Sequence, residues 1–94
     1  MRDSEGNLLI GGLTLKQLHV ELLEEHPDGA ATEWLLSGRL TLGPQEQDLL
    51  EVGRRYRLQL PDGRAGQVII ASMNRYGHSV VAEFRPQRTA ITVG

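Results

Sequence analysis

No cysteine occurs in the 94 residues of this chain. Disulfide scaffolds, thiolate metal sites and cysteine nucleophiles are therefore excluded, and a reducing compartment is allowed, which makes the cytoplasm the expected location. Long hydrophobic runs are also missing. Stretches such as Leu8-Leu9-Ile10 and Val68-Ile69-Ile70-Ala71 fall far short of the roughly 20 apolar residues that a membrane helix needs, so no membrane partner is expected. The polar N-terminus lacks the basic-then-apolar order of a secretion signal. Aromatic residues are scarce: Trp34, Tyr56, Tyr76 and Phe84 are the whole set. A barrel that stacks single-stranded bases needs several rings on its surface, and this chain has few to offer. No internal repeat or low-complexity tract is present, and the length fits one domain with a modest core.

The most informative segment runs from Arg54 to Met73. Tyr56, Leu58 and Leu60 fall on one side of an extended chain and Arg55, Arg57 and Gln59 on the other, the alternation of a half-buried strand. Asp62-Gly63 follows, where glycine tolerates positive φ and aspartate bonds its own backbone, and Gln67 to Met73 then returns as a second strand. A hairpin is predicted. Thr32 to Leu42 alternates as well, with Trp34, Leu36, Leu40 and Leu42 inward and Gly38 on the inner row, where a bulge or bend is expected. Asn74 to His78 reads as a turn, and Ser79 to Arg85 as a strand with Val80, Ala82 and Phe84 inward.

Leu13 to Glu25 fits two templates. As a strand it turns Leu18, Val20 and Leu22 inward and His19 and Glu21 outward. As a helix over 14–25 it has Thr14 as N-cap, Gln17 three residues later, and Leu15, Leu18 and Leu22 in one stripe, in a segment rich in helix formers. The hairpin-like Pro27-Asp28-Gly29 and the alternating segment after it favour the strand. The fold expected is all-β, a five- or six-stranded antiparallel barrel or sandwich, with α+β as the alternative. A barrel is preferred because one small sheet would leave an apolar face and two edges exposed. Residues 1–12 read as a flexible segment or edge strand, 13–86 as the barrel domain and 87–94 as a C-terminal edge strand or tail. Leu49, Leu50 and Val52, in the polar connection between strands, are expected to plug an open end of the core.

Charge is distributed unevenly. Met1 to Glu51 holds ten acids against three bases, whereas Val52 to Gly94 holds seven arginines against two acids and no lysine. Two readings follow: acidic strands lie beside basic ones and form cross-strand ion pairs, or a cationic face recruits carboxylate or phosphate, which guanidinium groups bind bidentately.

Nothing in the sequence announces a catalytic centre. His19, His26 and His78 have no compact zinc spacing, Ser4, Ser37, Ser72 and Ser79 lack a nucleophile-elbow context, and the carboxylates at Glu24-Glu25 and around Glu46, Asp48 and Glu51 lie in polar runs. The glycines between Pro61 and Gly66 lack phosphate-loop spacing and precede no helix. Neither an enzyme nor a metal or cofactor is expected. The function predicted is a non-enzymatic interaction or assembly module, whose partner is another protein or a second copy. Leu23 and Leu35, which strand parity turns outward, motivate this reading. The alternative is an anion-binding module for a nucleotide or nucleic acid, built on Arg54, Arg55, Arg57, Arg64 and Arg75 with Tyr76 as its exposed ring.

Overall fold

The computed structural model describes residues 2–27 and 33–87, except for the side chains of Arg2 and Gln47. Six strands make up nearly all of it: β1 (Arg2–Ile10), β2 (Leu13–Pro27), β3 (Trp34–Leu42), β4 (Arg55–Gln59), β5 (Ala65–Tyr76) and β6 (Ser79–Pro86). They close in the order β1-β2-β3-β6-β5-β4, with every neighbouring pair antiparallel. Closure removes the two edges that an open sheet of this size would expose.

Leu13 to Glu25 is strand, not helix. Its inward row of Leu18, Val20 and Leu22 is buried while His19 faces solvent, because ladders to β1 and β3 satisfy its backbone on both sides and override the helix propensity of its side chains. β1 differs from the expected flexible segment or edge strand. It pairs with β2 and with β4, so it is a stave of the barrel. Its inward positions include Gly6, whose lack of a side chain hides the alternation. Gly11-Gly12 is a two-residue hairpin turn between Ile10 and Leu13, with Gly11 at φ 58°. β5 likewise runs on to Tyr76, leaving only Gly77 and His78 to turn. The predicted turn at Asp28-Gly29 and most of the C-terminal segment, 88–94, lie outside the described residues.

The core is entirely apolar among the described residues. Leu8, Val20, Leu36, Leu40, Leu58, Val68, Ile70 and Ala82 are fully buried and Phe84 nearly so, and no polar or charged residue is buried with them. Of the three residues expected to plug an end, only Leu50 is buried; Leu49 and Val52 are exposed. The 3₁₀ turn at Gln47–Leu49 is too short to turn all three inward. Tyr56 reaches the same end from β4, its hydroxyl accepting the Glu51 amide at 3.0 Å.

Two glycines permit the closure. Gly38 lies on the inner row opposite Phe84, and a Cβ there would overlap the carbonyl oxygen of Glu21 on β2. At Gly66 a Cβ would overlap the carbonyl oxygen of Trp34, because the start of β3 comes against β5 there. A third backbone feature carries a prediction. Gln17 has φ 57°, at a break in the β1–β2 register, and its amide donates to Asn7 Oδ1 at 3.0 Å. Left-handed backbone costs a residue with a Cβ roughly 1–2 kcal/mol. Gln17→Gly is therefore expected to stabilise the fold by up to about 1 kcal/mol after its entropy cost. Urea unfolding checks this, and a loss of stability would contradict it.

Candidate functional site

The five arginines of the anion-site expectation do not form one cluster. Arg57 points from β4 to Glu33, with Nη1–Oε1 2.7 Å and Nη2–Oε2 3.0 Å, a bidentate pair. Arg64, just before β5, donates to Glu25 and to Asp62 and lies 5.1 Å from the centre of the Trp34 ring. These two guanidinium groups from the basic half are committed to carboxylates from the acidic half and from their own turn. Arg54 sits 3.7 Å from Glu51, both exposed. Arg75 and Tyr76 are at the far end of β5. Arg55 pairs with Ile69, so Arg75 lies six residues further along the strand, about 20 Å away. Tyr76 is 64 % exposed, as expected, but near Glu21, Arg39 and Glu83 rather than beside the other four arginines.

The Glu33–Arg57 pair makes stability depend on pH. Its hydrogen bonds to Arg57 hold the Glu33 carboxyl below its ordinary value, against the smaller opposing effect of burial. A carboxyl lowered by folding contributes fully above its unfolded value, near 4.5, and loses that contribution as pH falls through the lower folded value. Both groups are partly exposed, so the contribution is about 0.5–1 kcal/mol. The stability difference between wild type and Glu33→Gln should therefore be present at pH 7 and shrink below about pH 4. A difference constant from pH 7 to pH 3 would show that the pair does not act through charge.

A different surface brings apolar and charged side chains together on the outside of the barrel. The β3–β6 ladder ends at Gly38 and Phe84, and a groove of about 350 Å³ opens beyond it on the outer face. Leu35 and Ser37 of β3 form one wall, Arg85 and Pro86 of β6 the other, and Leu23, Glu24 and His26 of β2 the rim. The β2–β3 register explains the rim. Leu22 pairs with Gly38 and Glu24 with Ser37, so Leu23 is an extra residue, bulged out and 46 % exposed. Leu23 keeps the outward side that alternation gives it after Leu22, and the extra residue re-aims Glu24, which regular pairing would turn inward, onto the same outer face. Past it, Glu24 and His26 share the outer face with Ser37 and Leu35, while Glu25 turns to the opposite face, where it meets Arg64.

The side chain of Arg85 makes no ion pair or hydrogen bond with the described residues, and neither does that of Arg55. Both pair with Ile69, from opposite sides, so the three form one row across β4, β5 and β6. Leu23 and Leu35 were legible as outward residues. Nothing in the sequence sets Arg85 apart, because the lack of a side-chain partner among the described residues is a property of the folded chain. Comparison with known proteins finds no matching family model, no similar curated protein and no similar solved structure.

Proposed function

We infer that the chain is a non-enzymatic protein-interaction module that recognises its partner through the outer groove between β3 and β6. The observation that carries this reading is the bulge at Leu23. It sets exposed Leu23 and Glu24 side by side next to a concave wall holding Leu35, Pro86 and Arg85, whose side chain has no partner among the described residues. Apolar centres bordered by arginine are typical of surfaces that bury against another protein. The apolar interior supports the same reading, since it provides a rigid scaffold and the functional variation lies on its outside.

A peptide library displayed on phage and selected on the folded chain tests it. Enriched sequences should bind the wild type and lose at least about tenfold in affinity on Leu23→Ser/Leu35→Ser, a loss of roughly 1.4 kcal/mol or more. Equal binding to both would refute the assignment of this face. Anion binding is the second reading, favoured by Arg55 and Arg85 on either side of Ile69. It would show as nucleotide or oligonucleotide binding that falls steeply with salt and is lost in Arg55→Ala/Arg85→Ala.

A further inference from the structure

We propose that the groove is occupied by a second copy of this chain, in a two-fold dimer that inserts Leu23 of each copy into the groove of the other. The proposal rests on the interaction reading above and names its partner. A two-fold interface uses one patch twice, so the patch must be complementary to itself. This one has the required parts on opposite sides. The β2 rim carries a projecting apolar side chain, Leu23, followed directly by an acid, Glu24. The far wall, on β6, carries Arg85 and Pro86, with Leu35 between rim and wall. Rotation by two-fold symmetry about an axis through the groove brings the rim of one copy onto the wall of the other. Leu23 then meets Leu35 and Pro86, and Glu24 meets Arg85, twice over.

The charges within one copy leave this pairing open. Arg85 has no carboxylate within ion-pair distance among the described residues. Glu24 lies 3.5 Å from His26, with both side chains mostly exposed. The neighbouring acid, Glu83, accepts a hydrogen bond from Ser72 at 3.1 Å and so is partly engaged within the sheet. Association is expected to be modest, because the patch has no exposed tryptophan or tyrosine at its centre. A weak, micromolar-range dimer is anticipated for an interface of this composition.

Sedimentation velocity of the chain from about 10 µM to 1 mM is the test, with circular dichroism to confirm that each variant keeps its fold. The wild type should dimerise over this range. Leu23→Ser should weaken the dimer at least about tenfold, as should Glu24→Arg or Arg85→Glu alone, each of which places like charges across the two-fold. Glu24→Arg/Arg85→Glu should restore association to within about threefold, since the exchanged pair is equivalent across the axis. A dimer indifferent to the single changes, or one that the double change fails to rescue, would overturn the proposal. So would a wild type that remains monomeric at 1 mM. That last result would leave the interaction reading standing, because peptide selection tests it with foreign partners.

Discussion

Gly66→Ala is expected to destabilise the fold by about 3 kcal/mol or more, the upper range for forcing extra atoms into packed structure. The alanine methyl would overlap the Trp34 carbonyl oxygen, and main-chain atoms cannot step aside as a flexible side chain can. Relief would require the start of β3 to lift from β5. That movement would also shift the Trp34 ring beneath Arg64. Gly12→Ala is the matched control, since a Cβ at Gly12 meets nothing within 4 Å and its stability should change by no more than about 0.5 kcal/mol. A domain of this size is stable by roughly 5–15 kcal/mol, so the Gly66 change should move the urea midpoint conspicuously. Equal effects at the two positions would mean that β3 does not lie against β5.

Phe84→Ala should cost about 3–5 kcal/mol. Phe84 is 2 % exposed, and its strand neighbours on the inner row are Gly38 and Ile70. A large inward ring next to a glycine is the arrangement by which sheets bend sharply without leaving a void. Removing it opens a cavity that Gly38, without a side chain, cannot fill. Tyr76→Ala, also an aromatic truncation but on the exposed surface, should change stability by about 0.5 kcal/mol or less. Thermal unfolding of the two variants side by side checks the contrast, and comparable losses would contradict a core centred on Phe84.

The same contrast shows what the sequence reveals and what it does not. Strands whose inward rows are all large, such as Tyr56-Leu58-Leu60 and Val80-Ala82-Phe84, are legible from alternation alone. β1 is obscured because Gly6 stands on its inward row, and β2 because leucine, lysine and glutamine suit a helix until neighbouring ladders decide the matter. Alternation places Leu23 outward after Leu22 but would send Glu24 inward; the bulge that keeps Glu24 on the outer face has no mark in one-dimensional spacing. Charge was legible in composition but not in placement. Arg57 and Arg64 follow Arg55 by two and nine residues in sequence, yet folding brings Glu33 and Glu25 to them from the acidic half and leaves the side chains of Arg55 and Arg85 without a partner among the described residues.

The central claim is that recognition occurs on the face where β3 parts from β6. An amide nuclear magnetic resonance map of the ¹⁵N-labelled chain, titrated with the strongest peptide from the library selection, tests it most directly. Shifts should concentrate at Leu23, Glu24, Leu35, Ser37 and Arg85 and leave Arg75 and Tyr76 unmoved. Saturable binding with shifts confined to the Tyr76 end, or spread evenly through the barrel, would contradict it.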